Sequence, residues 1–159
     1  MSSSPKEVIP IASDHAGYEL KQKLEKTLEQ MGYQVQDLGT NSTASTDYPD
    51  FGHPLAREVS EGDVKRGVLL CGTGLGMSYV ANRYPHVRAA VAWSPEIAAL
   101  ARKHNDANIL VLPARFLSDE QAEKILKTWL ETPFEGGRHE RRIEKIDDEL
   151  PKHEEPKEG

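Results

Sequence analysis

Hydrophobic residues in this chain gather in short continuous runs, and between the runs they recur every three or four positions. The continuous runs predict five strands, at 8–12, 35–38, 67–71, 88–93 and 109–112. Helical spacing is clearest where Leu20, Leu24 and Leu28 fall on one face and Gly32 ends the helix. Strands without alternation carry apolar side chains on both faces, which is typical of a parallel sheet covered by helices on both sides.

Further helices are predicted between and after the later strands. They are expected at 54–61, from the end of a glycine-rich loop to 82, at 95–103, from a capping box at Ser118 and Gln121, and at 137–150. The predicted fold class is α/β, a three-layer, Rossmann-like doubly wound fold with a five-stranded parallel sheet. In such folds ligands bind beyond the carboxyl ends of the strands, so that edge of the sheet is where catalytic residues are expected.

Length and charge narrow the class of protein. The 159 residues fit one domain, placed at 1–150, followed by a charged tail at 151–159 that we expect to be disordered. The net charge is −6, of which the last thirteen residues carry −4 through six acidic side chains and two lysines. The remainder is close to neutral, which argues against a nucleic-acid-binding protein because such proteins usually present a basic face.

The sequence also indicates in which cellular compartment the protein is expected. No apolar run approaches the ~20 residues that span a bilayer, and the amino terminus lacks the apolar core of a signal peptide. The single cysteine, Cys71, cannot form an internal disulfide, which agrees with a reducing compartment. We therefore expect a cytoplasmic protein with neither a membrane nor a nucleic acid as its partner.

Cys71 ends the third predicted strand and opens the strongest chemical motif, Cys-Gly-Thr-Gly-Leu-Gly. Its glycines, Gly72, Gly74 and Gly76, allow close approach to the backbone, and the loop leads into a helix whose free N–H groups favour negative charge. Such a loop is expected to lower the thiol pKa from its usual ~8.5 and to make proton transfer feasible near neutrality. The alternative is that Cys71 is a buried core residue.

Three familiar loops do not fit this motif. A Walker A loop places Lys and Ser or Thr after its last glycine, whereas Met77 and Ser78 follow Gly76. A cysteine phosphatase loop needs an arginine where Met77 stands, and the glycines are spaced too evenly for a dinucleotide-binding fingerprint.

Other polar residues follow the remaining strands. Asp14 and His15 come after the first strand at a helix start, where they suit an anion, although Asp14 alone also suits a helix cap. Tyr48 lies in Asp-Tyr-Pro-Asp at 47–50 after the second strand, for which a proline turn is the alternative. Arg115 follows the fifth strand.

Two further groups lie away from that edge in the sequence. His104 and Asn105 stand just before the fifth strand, so either the helix end folds over the top of the sheet or this segment serves a neighbouring subunit. Arg138 and Arg142 are four residues apart on one helical face and suggest a phosphate clamp, the alternative being a solvated face paired with glutamates. No set of Cys, His and carboxylate residues has zinc-ligand spacing, so we expect no metal and no cofactor.

Taken together, these motifs resemble the B-type ribose-5-phosphate isomerases and the related galactose-6-phosphate isomerases. The resemblance runs from about Val8 to Ile146 and rests on five motifs in order, Ser-Asp-His-Ala-Gly at 13–17, Asp-Tyr-Pro at 47–49, Cys-Gly-Thr-Gly-Leu-Gly at 71–76, His-Asn-Asp-Ala-Asn at 104–108 and Glu-Gly-Gly-Arg-His at 135–139. It implies interconversion of ribose 5-phosphate and ribulose 5-phosphate in the pentose phosphate pathway, with a small phosphorylated sugar as the binding partner. One branch of the family has no cysteine at this position, so Cys71 indicates the cysteine branch.

The resemblance also implies a role for each residue. Cys71 would be the base that moves a proton between the first two sugar carbons, with the amides of Gly72, Gly74, Leu75 and Gly76 and the Thr73 hydroxyl holding the enediolate oxygen. His104 would catalyse ring opening. Sugar oxygens would be contacted by Asp14, Tyr48 and Asn105, and the phosphate by His15, Arg115, Arg138 and Arg142. The family builds its site at a dimer interface, which implies a homodimer, or a tetramer, with the C-terminal helix packed on a partner subunit.

Two alternatives to this function stay open. The substrate could instead be a six-carbon sugar phosphate, such as allose or galactose 6-phosphate, although the related galactose enzymes divide their catalytic residues between two different subunits while this chain carries the whole set. A non-catalytic sugar-phosphate-binding module is the other, and loss of the base would mark it; Cys71 is present.

Overall fold

The computed structural model describes residues 6–149, in which five strands alternate with helices. The elements are β1 Val8–Ser13, α1 Tyr18–Gln30, β2 Gln34–Asp37, α2 Tyr48–Ser60, β3 Gly67–Cys71, α3 Leu75–Ala81, β4 Ala89–Val91, α4 Pro95–Asn105, β5 Ile109–Pro113, α5 Asp119–Glu131 and α6 Arg138–Asp148. Short 3-10 turns follow β1 and β5, at His15–Gly17 and Ala114–Phe116. The predicted tail at 151–159 and the predicted domain end at 150 lie outside the described residues.

All the described strands form one parallel sheet in the order β2-β1-β3-β5-β4. Two apolar clusters cover its faces. One contains the buried side chains of α1, α4 and α5, including the fully buried Trp129, and the other contains those of α2 and α3. This is the three-layer α/β architecture that the sequence predicts.

The central strands are the most hydrophobic because they are enclosed on all sides. Every residue of β3 and β5 is buried, since each strand has a neighbour on both sides and helices above and below. The edge strands β2 and β4 are only partly buried. No helix among residues 6–149 has the length and apolar character needed to cross a membrane.

One predicted helix start is wrong in a way that affects the site. Helix α2 begins at Tyr48, not at 54, so the segment at 47–50 is a helix start and not an isolated proline turn. Pro49 lies in the first turn, where its missing N–H has no intrahelical partner to lose. The capping box at Ser118 is confirmed, because Ser118 Oγ accepts from the Gln121 N–H at 3.1 Å and Gln121 Oε1 accepts from the Ser118 N–H at 2.8 Å.

The order of the strands makes the gap between β1 and β3 a switch point, since the chain goes from β1 to β2 on one side and continues from β3 to the other side. Ligands in doubly wound folds bind in the crevice beyond such a point. Here the register pairs Ser13 with Leu70, so the residues that follow, Asp14 and Cys71, lie next to each other.

A buried charged group anchors α1 to β2. The Lys21 side chain is fully buried, its Nζ lies 2.5 Å from Asp37 Oδ2, and Glu25 Oε1 lies 3.9 Å from the same nitrogen. Burial and a hydrogen bond with Asp37 raise the pKa of Glu25 to about 7. Glu25 therefore holds a proton shared with Asp37 at pH values where an exposed glutamate has lost it.

This proton gives the first testable prediction. The folded protein binds it more strongly than the unfolded chain between pH 4.5 and about 7, so the free energy of unfolding falls as pH rises through that range. In Glu25→Gln this part of the pH dependence is expected to disappear, as measured by thermal melting at several pH values. Glu19→Gln, an exposed change on the same helix, should leave it in place. An unchanged slope in Glu25→Gln would contradict the assignment.

Candidate active site

The carboxyl ends of β1 and β3 form the centre of the candidate site. The Asp14 N–H donates to the Leu70 carbonyl oxygen at 3.3 Å, which continues the parallel pairing by one residue beyond the strands. Gly17 allows the turn after β1 to pack closely, because a Cβ there would lie 2.7 Å from Leu70 Cβ. Cys71 is the last residue of β3 and is only 4% exposed.

A cavity of about 190 Å³ opens at this position. Four separate stretches of the chain line it, and they contribute Asp14, Tyr48, Cys71, Gly72, Thr73, Gly76 and Arg115. The lining thus contains a thiol, a carboxylate, a phenol, a hydroxyl and a guanidinium. The sequence predicts each of these residues for the site, and the fold brings them together.

The glycines of the loop make room for two of these side chains. A Cβ on Gly76 would lie 2.7 Å from the ring of Tyr48, and one on Gly72 would lie 3.3 Å from a guanidinium nitrogen of Arg115. The Arg115 N–H also donates to the Gly72 carbonyl oxygen at 3.0 Å. Gly74, at φ +78°, is the N-cap of α3 in the left-handed region that favours glycine. The loop therefore needs glycine at 74 and 76, whereas a side chain at 72 would only displace the flexible Arg115 side chain by a few tenths of an ångström.

Two predicted donors of the loop already contact each other. Thr73 Oγ1 accepts from the Leu75 N–H at 3.2 Å. The Leu75 side chain points to solvent and is 49% exposed. An incoming anion that uses the Leu75 N–H must therefore replace the Thr73 hydroxyl.

The pKa of Cys71 is opposite to the sequence-based expectation. Burial raises the pKa of the thiol, and the negative charge of Asp14 raises it further. Backbone N–H groups of Met77, Gly74 and Thr73 lower it, but by less than burial raises it. The N–H groups of the loop thus act in the predicted direction, but the expected net lowering of the thiol pKa is wrong. The residue is nearly inaccessible to water, and desolvation disfavours the thiolate.

The Asp14 and His15 side chains both accept hydrogen bonds from backbone N–H groups. Asp14 Oδ1 accepts from the N–H groups of Ala16 and Gly17 at 3.0 and 3.2 Å, so this residue caps the turn while lining the cavity. The Thr46 N–H donates to His15 Nδ1 at 3.1 Å, which leaves the proton of a neutral His15 ring on Nε2.

A second group of predicted residues lies elsewhere on the chain. His104 and Asn105 end α4, which runs back along the sheet to the amino ends of the strands, where the Gly67 N–H donates to the Asn108 carbonyl oxygen. Cys71 is at the other end of β3, four residues or ~13 Å along the strand. The alternative in which this helix end folds over the carboxyl edge of its own sheet is therefore wrong.

Arg138 and Arg142 belong to this second group. They lie on α6, which packs against α4, and both side chains are exposed. Within residues 6–149, neither guanidinium has a carboxylate within the 4.0 Å of an ion pair, so the alternative of a face paired with glutamates is not realised there. Arg138 and Arg142 are thus two exposed cations on the helix that carries His139, and they are suited to an anionic ligand.

The fold also creates a cluster that sequence spacing does not reveal. His104, Glu135 and His139 each place one potential metal ligand atom within 4.8 Å of the others. His104 is far from the other two in sequence, so no spacing pattern connects them. The i, i+4 spacing of Glu135 and His139 is the only sign of this cluster that the sequence offers.

A larger cavity, of about 650 Å³, lies at the amino edge of the sheet. Its three arginines are already paired. Arg66 contacts Glu7, Arg102 contacts Asp106, and Arg88 donates to the Asn105 and Asp106 carbonyl oxygens. None of its charged groups is placed to act on a substrate together with Cys71.

Comparison with known proteins gives consistent results. Residues 9–146 match the family described as Ribose/Galactose Isomerase. The chain is 41% identical over 138 residues to ribose-5-phosphate isomerase B of Escherichia coli (strain K12), covering 87% of this chain and 93% of that protein. The structure of a Thermotoga maritima ribose 5-phosphate isomerase superimposes with a TM-score of 0.86 at 53% identity, covering 89% of this chain and 97% of that one.

One solved relative contains a sugar phosphate. It is ribose-5-phosphate isomerase B from Mycoplasma genitalium with bound ribulose-5-phosphate, with a TM-score of 0.86, 44% identity and coverage of 90% of this chain and 95% of that one.

The raised thiol pKa gives a second testable prediction. Alkylation of Cys71 by iodoacetamide, followed as a function of pH, is expected to have its midpoint above the ordinary value for a cysteine, because the thiolate is the reactive form. Asp14→Asn should move the midpoint to lower pH by removing the charge that faces the thiol. Asp50→Asn, an exposed change on α2, should not move it. A midpoint below the ordinary cysteine value would contradict the assignment.

Proposed function

Because the chain belongs to the ribose/galactose isomerase family, we propose that it interconverts ribose 5-phosphate and ribulose 5-phosphate. This is the reaction of an aldose–ketose isomerase. The observation that carries the proposal is the cavity in which Cys71, the glycine loop, Asp14, Tyr48 and Arg115 meet. No nucleic acid or second substrate is needed for this chemistry.

The reaction requires one proton to move between neighbouring carbons. In the open-chain aldose, Cys71 as thiolate removes the proton from the second carbon, and the electron pair shifts to the carbonyl oxygen on the first carbon. In the resulting enediolate, the hydroxyl proton on the oxygen of the second carbon passes to the oxygen of the first carbon. The thiol then returns its proton to the first carbon, which restores the thiolate, and the oxygen of the second carbon becomes the carbonyl. A base that keeps its proton between the two steps needs to be shielded from water, and the burial of Cys71 supports this role.

The loop after Cys71 suits the negative charge that develops on the oxygen. The proposed hydrogen-bond donors to this oxygen are the Thr73 hydroxyl and the backbone N–H groups of Gly72, Gly74, Leu75 and Gly76. Removing one well-aimed donor of this kind typically raises a barrier by ~2.7–4 kcal/mol. In the free protein the Thr73 hydroxyl oxygen accepts from the Leu75 N–H. When a substrate oxygen takes the place of this contact, both groups can donate to the substrate.

The pKa of Cys71 bears on how the base is generated. The thiol is mainly protonated in the free protein, because burial raises its pKa. Three backbone N–H groups favour the thiolate and offset part of the effect of burial. Activity is therefore expected to increase with pH through the range in which the thiol ionises.

The proposed contacts to the rest of the substrate follow from the chemistry of the available side chains. Asp14 and Tyr48 line the cavity and are the proposed partners of sugar hydroxyls, together with Asn105. His15 and Arg115 are the proposed phosphate ligands on the Cys71 side, and Arg138 and Arg142 are those on the other. The lack of ion pairs at Arg138 and Arg142 within the described residues supports the last assignment.

We propose further that a complete site needs two copies of the chain in a homodimer. The Cys71 group and the His104 group lie at opposite edges of one sheet, so a second chain is the simplest source of the missing half. Large apolar side chains around the carboxyl edge are left exposed in one chain, which is typical of an interface: Leu75, Tyr79, Trp93 and Phe116. In this arrangement α6 packs on the partner and carries Arg138 and Arg142 to it.

A direct test follows the proton. In the presence of EDTA, the protein is expected to convert ribose 5-phosphate that carries deuterium on its second carbon to ribulose 5-phosphate that carries this deuterium on its first carbon. Cys71→Ala should lower the rate by about 10²- to 10⁴-fold, since it removes the base. Its melting temperature shows whether the fold is kept. Full activity in Cys71→Ala, or binding of the sugar with no conversion by the native protein, would contradict the proposal. Rates on allose and galactose 6-phosphates measure the six-carbon alternative.

Mixing two inactive variants tests the shared site. Chains with Cys71→Ala and chains with His104→Ala, mixed and allowed to exchange, are expected to regain about a quarter of native activity, because half of the dimers then contain one intact site of two. A mixture of Cys71→Ala with Asp14→Ala is the control. Both changes fall in the same half, so no intact site forms. Recovery in the control, or none in the first mixture despite exchange, would contradict a site built from two chains.

A further inference from the structure

The strongest unassigned feature is the cluster of His104, Glu135 and His139. One ligand atom from each lies within 4.8 Å of the other two. The two imidazole rings are stacked, with centroids 4.5 Å apart and planes 16° from parallel. Glu135 Oε2 lies 3.8 Å from His139 Nε2. The remaining ligand directions face solvent, since Glu135 is exposed and His104 is half-buried.

The backbone holds these three residues together. The Glu135 N–H donates to the Lys103 carbonyl oxygen at 3.1 Å, which ties the segment before α6 to the end of α4 next to His104. His139 lies in the first turn of α6 and is 8% exposed, so its ring has little freedom. Two of the three positions are therefore fixed by the fold, and the exposed Glu135 side chain can move.

Two imidazoles and a carboxylate form a donor set that transition-metal dications bind well. Bonds of ~2.0–2.2 Å place the ligand atoms of a tetrahedral site about 3.5 Å apart, so the cluster must contract by roughly 1 Å. Because the two imidazole planes are stacked and nearly parallel, their in-plane nitrogen lone pairs do not meet at one point. The half-buried His104 ring must therefore rotate out of the stack while the exposed Glu135 side chain turns toward it. Water molecules would complete the coordination.

Some of the charges around the cluster favour binding of a dication, and others oppose it. Arg138 is next to His139 in the sequence and Arg142 lies three residues after it on α6, so both place positive charge near the cluster. The same arginines repel a dication, and the Glu135 carboxylate offsets part of that repulsion. The expected affinity is accordingly moderate.

We propose that His104, Glu135 and His139 form a binding site for a transition-metal dication such as Zn²⁺, and that an ion bound there inhibits the enzyme. The inhibition rests on the proposed function, because a His104 ring nitrogen bound to metal no longer exchanges a proton with the sugar ring oxygen. The proposed isomerisation itself uses no metal, and the ion acts by occupying His104. Zinc in this position would thus act as a regulator.

Binding is tested first without substrate. The full-length protein is titrated with CoCl₂, whose visible absorption reports the ligand geometry, and with ZnCl₂ in a calorimeter. One equivalent is expected per chain, and Zn²⁺ should displace Co²⁺. Glu135→Gln should weaken binding by about tenfold or more. Glu140→Gln changes an exposed carboxylate on α6, outside the cluster, and is the matched control.

Inhibition is tested second. Glu135→Gln is expected to keep the native rate in EDTA and to need about tenfold more Zn²⁺ for half inhibition, whereas Glu140→Gln should behave like the native protein. Binding that is lost in Cys71→Ser but kept in Glu135→Gln would place the metal on the thiol and overturn the proposal. So would the absence of saturable binding to the native chain. Because binding is measured without substrate, a chain that binds cobalt but shows no isomerase activity would overturn the proposed function and leave this metal site standing.

Discussion

The parallel pairing of β1 with β3 is the constraint on which the candidate site depends. It brings Asp14 beside Cys71 through a backbone hydrogen bond between the Asp14 N–H and the Leu70 carbonyl oxygen. Close packing at Gly17 keeps the turn after β1 against β3. The loop after Cys71, the ring of Tyr48 and the Arg115 side chain are then arranged around this pair. A slip in the register of either strand would separate the carboxylate from the thiol and remove the cavity.

The burial of Cys71 stabilises the central strand but disfavours ionisation of its thiol. It makes β3 a stable central strand, and it also raises the pKa of the Cys71 thiol by excluding water from the thiolate. The backbone N–H groups of the loop offset this in part. A base in such surroundings holds its proton away from solvent, which suits a reaction in which the same proton leaves one carbon and joins the next. The cost is that little thiolate is present before a substrate binds.

The chain separates its polar groups into two halves. One half lies at the carboxyl edge of the sheet and contains Cys71. The other lies where α4 and α6 meet and contains His104 and the exposed Arg138 and Arg142. Helix α4 causes this separation, since it must run back along the sheet to return the chain to the start of β5. A dimer that joins the two halves would explain the exposed apolar side chains around the first half. It would also explain why Arg138 and Arg142 have no carboxylate partner among residues 6–149.

The sequence alone determined the fold class, the position of β3 and of the capping box at Ser118, and most residues of the cavity, because strand and helix periodicity and the order of polar residues after strands are local patterns. It placed the start of α2 six residues too late, since a proline in the first turn is compatible with either a turn or a helix. Only the tertiary structure decided the direction of the Cys71 pKa, which depends on how much water reaches the sulfur. It alone brought His104 next to Glu135 and His139, and it alone put His104 at the opposite edge from Cys71. These properties depend on distances between residues far apart in the chain, and such distances arise from packing of elements and not from any local spacing.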